Sequence, residues 1–232
     1  MELDFIKNMF DTIAPKYDFL NHFLSMGQDI SWRSKMVSAA DLQSNTRVLD
    51  IACGTGDVAL EVCRQTKGRV QIAGVDFSPR MLAVAQKKAD AEKTQCTIHL
   101  AAGNALNLPF RNHCFHAIFI AFGIRNIMDR PAALTGFYNA LKKGGKLAVL
   151  ELTTPDPGFF KTMYMLYFKK ILPLLGGIFS KNAGAYEYLP ASVLRFPDPF
   201  EFAEIMSMAG FTEIKWKRMT FGIVTLFVGT RE

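Results

Sequence analysis

The chain has 232 residues, of which half are hydrophobic and 21% are charged. This composition predicts one globular domain with a sizeable core and excludes an intrinsically disordered protein. The net charge of +6 is modest, and the sequence has neither a block of Lys and Arg nor a ladder of alternating basic and aromatic residues. Nucleic-acid binding is therefore disfavoured, whereas contact with an anionic membrane surface is compatible with the charge.

The cysteines and the apolar segments indicate the compartment. Cys53, Cys63, Cys96 and Cys114 have neither the spacing of metal ligands nor a secretory context, so we expect free thiols in a reducing environment. The first residues do not read as a signal peptide, and the longest apolar run, 159–179, is interrupted by lysines, a proline and two glycines. We expect a cytoplasmic protein with no membrane-spanning helix and at most a peripheral contact at the inner face of a membrane.

In chain order, residues 1–40 are expected to be helical around a loop, and from residue 47 apolar strand-like runs alternate with amphipathic helical runs. Strands are expected at 47–52, 70–75, 96–101, 115–121 and 145–152, and helices at 56–66, 79–92 and 130–142, with Gly144 and Gly145 ending the third helix. Such alternation predicts a parallel sheet with helices on both faces.

The C-terminal part departs from simple alternation. A helix at about 198–210 is followed by two extended runs, 211–217 and 222–230, which indicate an antiparallel hairpin. The predicted fold class is α/β and Rossmann-like, with a mostly parallel seven-stranded sheet that ends in this hairpin. This ending is unusual for dinucleotide-binding folds and usual for class I methyltransferases that use S-adenosyl-L-methionine (SAM). We divide the single domain, 1–232, into a helical cap (1–45), a SAM-binding core (46–154), a helical substrate cover (155–197) and the C-terminal helix and hairpin (198–232).

A glycine-rich turn joins the first predicted strand to the next helix. Gly54 and Gly56 lie between Asp50 and Asp57, and the segment Gly54–Ala59 fits the dinucleotide pattern G-x-G-x-x-G/A. A pyrophosphate at the helix N-terminus would be repelled by Asp57, whereas carboxylates would attract the ammonium and sulfonium of SAM. The charge pattern favours SAM, and an NAD-linked enzyme remains the alternative.

Two further elements complete a nucleotide-binding pattern. Asp76 ends the second predicted strand 20 residues after Gly56, which is the spacing at which a carboxylate binds ribose hydroxyls. The alternative for Asp76 is a helix cap, a role for which Ser78 is better suited. After the third strand, Asn104 and Ala105 lie where an adenine would bind.

The segment 155–197 is rich in aromatic residues and methionines with interspersed lysines. One interpretation is a helix packed on its own sheet. The other is a cover that accepts a long apolar ligand, such as a prenyl tail, which gains about 0.8 kcal/mol for each buried CH₂ group.

Four spaced motifs resemble the ubiquinone/menaquinone-biosynthesis C-methyltransferase family. They are Tyr17-Asp18-Phe19-Leu20-Asn21 with Leu24-Ser25-Met26-Gly27 and Trp32-Arg33, then Phe122-Gly123-Ile124-Arg125-Asn126, then the run from Leu141 to Glu151, and last Ala185-Tyr186-Glu187-Tyr188-Leu189-Pro190 with Ser192 and Phe196-Pro197. The sequence departs from the usual family pattern at Asp29 and Phe227 (often His), Thr153 (often Ser), Lys143 (often Pro) and Asn104 (often Asp). These departures bear on substrate preference more than on the cofactor.

The resemblance implies transfer of a methyl group from SAM to a ring carbon of a prenylated quinol. It also implies that Thr55, Asp76, Asn104 and Ala105 contact SAM, with Ala121 at another cofactor-facing position. Together with the glycine turn, the expected cofactor-binding residues are therefore Asp50, Gly54, Thr55, Gly56, Asp76, Asn104, Ala105 and Ala121.

Methylation at carbon needs an electron-rich ring, and a phenol with a pKa of about 10 costs roughly 4 kcal/mol to ionise at pH 7. Arg125 stays protonated and so can stabilise the phenolate but cannot act as the base. Asp18 and Glu151 are the expected proton acceptors, while Tyr186, with Tyr17 and Tyr188, would orient the quinol oxygens. Their structural alternatives are a helix cap for Asp18, an ion pair of Arg125 with Glu151 or Asp129, and ordinary packing for the tyrosines.

The sulfonium is already an activated methyl donor, so no metal is expected. The favoured function is methylation of demethylmenaquinol to menaquinol. The alternatives are the corresponding benzoquinol of ubiquinone synthesis, another small phenolic or lipid acceptor, and a non-catalytic SAM-binding partner in a biosynthetic assembly. The sequence leaves the oligomeric state open.

Overall fold

The computed structural model describes residues 2–92, 96–166 and 183–232, with the side chains of 2–4, 159 and 183–187 outside the description. These residues form a seven-stranded sheet in the order β3-β2-β1-β4-β5-β7-β6. The strands are β1 (Arg47–Ile51), β2 (Gln71–Asp76), β3 (Thr97–Ala102), β4 (Phe115–Ala121), β5 (Leu141–Leu152), β6 (Thr212–Met219) and β7 (Val224–Thr230). The first five run parallel, and β7 pairs antiparallel with both β5 and β6. The predicted fold class is confirmed, including the C-terminal hairpin.

Helices cover both faces of the sheet. They are α1 (Glu2–Ile13), α2 (Tyr17–Ser25), α3 (Gln28–Ala39), α4 (Asp57–Thr66), α5 (Pro79–Ala91), α6 (Arg130–Ala140), α7 (Phe159–Leu166), α8 (Ala183–Leu194) and α9 (Pro199–Met208). Short 3-10 turns lie at Ala14–Lys16, Ile124–Asn126 and Thr220–Gly222. Most of the aromatic run predicted to form the substrate cover falls on residues 167–182, which lie outside the described part of the chain.

The alternation of side chains along β1 explains why the core lies on both faces of the sheet. Leu49 and Ile51 pack on one face with Phe137 of α6, whereas Val48 packs on the other face with Val58 of α4. All of these side chains are buried, and full burial of a side chain of this size contributes about 1.5–3 kcal/mol. The sheet is therefore a central layer between two helical layers.

The order of the strands fixes where a ligand can bind. The chain moves outward from β1 to β2 and β3, and then returns to place β4 on the other side of β1. In open α/β sheets a crevice forms at this reversal, beyond the carboxyl ends of the two neighbouring strands. The turns that follow Ile51 and Ala121 meet there.

Helix α6 ends earlier than the glycine pair predicted. The helix stops at Ala140, and the next residue, Leu141, already pairs with Phe115 of β4. Gly144 takes a left-handed conformation inside the long strand β5, and its N–H donates to the carbonyl of Arg231 at 2.7 Å. The glycine pair therefore forms an irregularity in the strand and does not end the helix.

The expectation of four free thiols is wrong for two of them. Cys63 on α4 and Cys96, just before β3, form a disulfide, while Cys53 and Cys114 are free. The two bonded residues are 33 positions apart, and they meet because α4 packs against the parallel unit that contains β2 and β3. Within the described ranges, no helix is long and apolar enough to cross a membrane.

Replacing Cys63 with Ser should lower the free energy of unfolding under oxidising conditions. The bond closes a loop that spans a separation of 33 residues, and the chain-entropy model gives a contribution of about 3–4 kcal/mol for a loop of this size. Urea unfolding of the wild type with and without a reductant, beside Cys63→Ser and Cys96→Ser, measures it. If the wild type is equally stable with and without the reductant, the two thiols are not bonded in the protein.

Candidate functional site

A cavity of about 390 Å³ lies at the reversal of strand order, at the carboxyl edge of the sheet. This volume is within the range of about 300–1,000 Å³ that is usual for small-molecule sites. Its wall is formed by the turns after four strands and by the N-terminal helices: Ile6, Phe10, Tyr17, Ala52, Gly54, Val75, Asp76, Phe77, Met81, Gly103, Asn104, Ala105, Leu106, Ala121, Phe122, Gly123, Asn126, Ile127 and Met128.

The glycine turn follows a left-handed path beside this cavity. Ala52, Gly54 and Gly56 have φ values of 51°, 54° and 83°, a conformation that glycine adopts without steric cost. A Cβ on Gly56 would also lie 3.1 Å from the Cβ of Ala85, so glycine lets α4 approach α5 closely. Ala52 carries a side chain in the same unfavourable region, and strain of this kind is typical of functional sites.

Asp76 connects the second strand to the glycine turn. One of its carboxylate oxygens accepts the backbone N–H of Gly54 and the other accepts the N–H of Ser78, both at 2.8 Å. Burial raises the pKa of Asp76, and these hydrogen bonds offset part of the rise. Ser78 caps α5 by accepting the N–H of Met81. The cap is therefore Ser78, and Asp76 remains in the cavity wall with lone pairs for a further donor.

Asp50 is buried at the end of β1 with an uncompensated carboxyl group. Only 1% of the residue is exposed, and neither carboxylate oxygen has a hydrogen-bond partner among the described residues. Burial raises the pKa of Asp50 well above its usual range; the backbone N–H of Ala59 and the charge of Arg33 offset part of the rise, and the nearby carboxylates of Asp76 and Asp57 add to it. The neutral form of Asp50 is thus more favoured than that of an exposed aspartate, and a cation close to it would shift the balance toward the carboxylate.

Asp57, in contrast, is already paired. It forms ion pairs with Lys88 of α5 and, at 3.2 Å, with Arg33 of α3. Although burial opposes the charge of Lys88, Asp57 and Asp18 raise the pKa of this lysine. The charge argument for SAM therefore depends on Asp50 and not on Asp57.

The cap is held to the glycine turn through Asp18. The hydroxyl of Thr55 donates to one oxygen of Asp18, and Lys88 contacts the other at 2.8 Å. Thr55 is 2% exposed and does not line the cavity. Asp18 and Thr55 thus meet each other, and their contact places α2 above the glycine turn.

Arg125 and Glu151 form a buried ion pair. The Nη1 atom of Arg125 donates to Glu151 at 2.6 Å and to the carbonyl of Phe122 at 2.6 Å. Glu151 is fully buried and also accepts the backbone N–H groups of Arg125 and Leu152. Burial opposes the charge on Arg125, but Glu151 and Tyr17 raise its pKa above the usual value. Glu151 therefore holds the Ile124–Asn126 turn against the end of β5.

The Nε–H of Arg125 is buried and has no acceptor within the described residues. Leaving a buried donor unpaired is costly, so a ligand oxygen that reached this group would gain a strong hydrogen bond. Tyr17 lines the cavity. Burial raises the pKa of Tyr17, and although the side chain of Asn21 and the charge of Arg125 both lower it in part, its hydroxyl remains a donor at neutral pH.

The sequence did not reveal an aromatic wall that comes from the cap. Phe10 of α1 contacts Phe77 and Tyr17 edge-to-face, with ring centroids 6.1 Å and 6.0 Å apart. All three rings line the cavity. In the sequence, only the position of Phe77, directly after Asp76, indicated a place in the cavity wall. Phe10 showed only the general pattern of an amphipathic helix.

Five of the expected cofactor-binding residues meet in the cavity wall, namely Gly54, Asp76, Asn104, Ala105 and Ala121. Asp50, near the end of β1, and Thr55 and Gly56, in the glycine turn, are not part of the wall. Tyr188 of α8 donates to the side chain of Asn126 at 3.0 Å and so contacts the site. Tyr186 is on the same helix, but its side chain lies outside the described residues. No group of His, Cys, Asp and Glu side chains suited to a metal ion is found in the part of the chain that the structure describes.

A Rossmann-like sheet with an antiparallel C-terminal hairpin and a glycine turn at the reversal of strand order defines a class I SAM-dependent methyltransferase. The chain belongs to the ubiE/COQ5 methyltransferase family, whose model matches residues 2–231.

Relatives and one solved structure agree with this assignment. The chain is 44% identical over 226 residues to the ubiquinone/menaquinone biosynthesis C-methyltransferase UbiE of Geotalea daltonii, covering 97% of this chain and 96% of that protein. It is 44% identical over 223 residues to the demethylmenaquinone methyltransferase of Thermus thermophilus, covering 96% of this chain and all of that protein (100%). A SAM-dependent methyltransferase structure from Thermotoga maritima superposes with a TM-score of 0.67 at 21% identity, over 97% of this chain and 99% of that one. The last comparison bears on the fold alone.

Replacing Glu151 with Ala should destabilise the protein by roughly 3–5 kcal/mol, because it leaves the charge of Arg125 buried without a partner. Urea unfolding provides the measurement. The double variant Glu151→Leu with Arg125→Met removes both charges and should recover much of the loss. A loss below about 1 kcal/mol for Glu151→Ala would show that water compensates Arg125 and that the pair does not hold the turn.

Asp50→Asn should raise the free energy of unfolding at neutral pH and have little effect near pH 4. Below the unfolded-state pKa of about 3.9 the carboxyl group is protonated in both states. As the pH rises, the unfolded chain loses this proton while the folded chain, with its raised pKa, keeps it, so the wild type loses stability up to the folded-state pKa. Urea unfolding of both proteins across this pH range, with the exposed Asp90→Asn as control, measures the difference. A difference that does not change with pH would contradict the raised pKa.

Proposed function

We propose that this methyltransferase transfers the methyl group of SAM to a ring carbon of a prenylated quinol, with demethylmenaquinol as the preferred acceptor. The observation that carries the proposal is the buried guanidinium of Arg125, which Glu151 fixes and which keeps one unpaired donor; Arg125 is not itself part of the cavity wall but lies between the wall residues Gly123 and Asn126 in the chain. Such a group suits a reaction in which negative charge develops on an acceptor oxygen. The names of the Geotalea and Thermus relatives supply the acceptor class.

The residues at and around the glycine turn fit SAM. Asp76 retains lone pairs for the ribose hydroxyls, and Asn104 and Ala105 lie where the adenine would bind. The bare carboxyl group of Asp50 would ionise next to a cationic ligand and be stabilised by it. A pyrophosphate at the same turn would instead meet a buried acid with no compensating charge, so NAD is disfavoured.

Bound SAM supplies a methyl group that is already activated by its sulfonium. The protein must therefore align the acceptor and raise the electron density of its ring. Arg125 cannot accept a proton but can donate to the phenolate oxygen, and Tyr17 can donate to the same oxygen or to the second one. Alignment of two reactants in a closed site can contribute up to about 7–11 kcal/mol. The cap side chains in the cavity wall exclude water from this site.

The two candidate proton acceptors differ in their surroundings. Glu151 already accepts from Arg125 and from two backbone amides, so we assign it to positioning Arg125. Asp18 is half-buried and lies directly after Tyr17 at the start of α2, with Thr55 and Lys88 as its partners. Both oxygens of Asp18 also have partners, but Asp18 is more exposed than Glu151 and adjoins the wall residue Tyr17, and for this reason we assign the proton-accepting role to Asp18. Tyr186 keeps its proposed role in orienting the acceptor.

We also propose a cytoplasmic enzyme that meets its acceptor at a membrane surface. A prenyl tail gains about 0.8 kcal/mol for each CH₂ group it buries in lipid, so the acceptor resides mainly in the bilayer. The net charge of +6 would support contact with an anionic leaflet.

Methyl transfer from labelled SAM should occur with demethylmenaquinol under reducing conditions, and Arg125→Lys should lower kcat by about 10²-fold or more while leaving the Kd for SAM within about twofold. Lysine keeps the charge but loses the planar fork of donors. Product from the demethylated benzoquinol as well would indicate a dual-route enzyme. Absence of product from both acceptors, with SAM bound, would contradict the proposed acceptor class.

Asp76→Ala is the matched comparison in the same assay. It should weaken SAM binding at least about tenfold, because it removes the ribose-binding carboxylate and the support of Gly54. Unchanged SAM affinity in this variant would contradict the proposed cofactor contact, and full activity of Arg125→Lys would remove Arg125 from catalysis.

A further inference from the structure

Two neighbouring turns at the carboxyl edge of the sheet present apolar side chains to solvent from strained backbone. Phe221 lies in the Thr220–Gly222 turn between β6 and β7, with φ 56° and ψ 24°, and is 69% exposed. Met26 lies in the turn between α2 and α3, with φ 52°, and is 83% exposed. A left-handed backbone conformation is costly for a residue other than glycine, so it persists only where surrounding contacts hold the residue in place.

The surroundings of Phe221 do hold it. The hydroxyl of Thr220 donates to Gln28 at 2.7 Å and accepts the indole N–H of Trp32 at 2.9 Å, so the cap fixes one side of the turn. On the other side, the hydroxyl of Thr153 donates to the carbonyl of Gly222 at 2.9 Å. The same contacts connect the two strained turns to each other, since Gln28 follows Met26 by two residues.

Further apolar side chains extend this region. The ring of Phe160 on α7 stacks on Phe221, with centroids 4.4 Å apart, and Met163 on the same helix is exposed. We call Met26, Phe160, Met163 and Phe221 the tip surface. It lies at the edge where the cavity opens, because the end of β5 pairs with the start of β7, directly after this turn.

Charged residues in the two segments that carry Phe160, Met163 and Phe221 are mostly basic. The segments 155–166 and 212–222 contain the bases Lys161, Lys215, Lys217 and Arg218 and the acids Asp156 and Glu213. Asp156 pairs with Arg218, and Trp216 between the two lysines is partly exposed. Aromatic and aliphatic groups next to lysines are the composition that binds the interface of an anionic bilayer.

We propose that the tip surface docks on an anionic lipid membrane, with Phe221 as a rigid anchor that enters the headgroup region. This orientation would place the cavity edge at the bilayer surface, where the tail of a prenylated acceptor starts. Only the identity of the acceptor is taken from the proposed function. The docking itself follows from the strained exposed side chains and the neighbouring cations.

Phe221→Gly provides the sharpest test, because glycine adopts the left-handed conformation freely and the variant should be no less stable than the wild type. We expect sedimentation of the full chain with phosphatidylcholine vesicles containing phosphatidylglycerol to fall at least about fivefold. Vesicles of phosphatidylcholine alone should bind the wild type weakly. The double variant Lys161→Glu with Lys217→Glu should lose the preference for vesicles that contain phosphatidylglycerol.

The matched control is Met208→Ser. Met208 is 87% exposed but lies at the end of α9, before the start of β6 and thus at the opposite edge of the sheet. It should sediment with vesicles like the wild type. Equal binding by Phe221→Gly and the wild type, or equal losses in Phe221→Gly and Met208→Ser, would overturn the proposal.

Two more measurements separate the alternatives. Turnover of a tail-free naphthoquinol in solution should be the same for Phe221→Gly and the wild type, while the apparent KM for a vesicle-borne prenylated acceptor should rise in the variant. If the wild type methylates neither acceptor, the proposed function fails while vesicle sedimentation still tests the docking. A change in oligomeric state of Phe221→Gly by sedimentation velocity would overturn the membrane proposal in favour of an interface between copies.

Discussion

The site depends on how the carboxylate of Asp76 holds the turn after β1. That turn follows a left-handed path through Ala52, Gly54 and Gly56, and within it the N–H of Gly56 donates to the carbonyl of Cys53 at 2.9 Å. Asp76 supplies an acceptor for the Gly54 N–H from the neighbouring strand, and with its other oxygen it fixes the Ser78 N–H at the start of α5. One side chain therefore sets the relative positions of two strands, one turn and one helix. A ligand that binds Asp76 also binds the element that shapes the rest of its site.

Much of the fold could be predicted from local patterns, because a buried parallel strand and an amphipathic helix leave distinct periodicities. Strand β4 was predicted with its observed bounds, and the glycine turn and Asp76 follow from spacing alone. The end of α6 could not be predicted in this way. Leu141 leaves the helix because its partner in the sheet is Phe115, and the glycine signal at Gly144 serves the strand instead.

The contacts that the sequence did not reveal are all long-range. Cys63 and Cys96 meet because two consecutive βα units pack together, and neither the number nor the spacing of cysteines encodes that packing. The aromatic wall has the same origin, since Phe10 reaches Phe77 only when α1 lies across the carboxyl edge of the sheet. Local periodicity indicates which side of a helix is buried, but it does not indicate against which part of the fold that side packs.

The distribution of charge around the cavity is compatible with the proposed function, in which one site binds a cation and also stabilises an anion. On the cap side, Asp57 and Lys88 compensate each other, so their charges contribute little net field at the cavity. Two of the buried polar groups that have no hydrogen-bond partner among the described residues have opposite character: the acid Asp50, before the glycine turn, and the donor Nε–H of Arg125. In the proposed reaction, the acid would favour the positive charge of a sulfonium donor, and the guanidinium would favour the negative charge that develops on a quinol oxygen. Because both groups are buried, neither is screened by solvent, and each is held in place by the fold before any ligand binds.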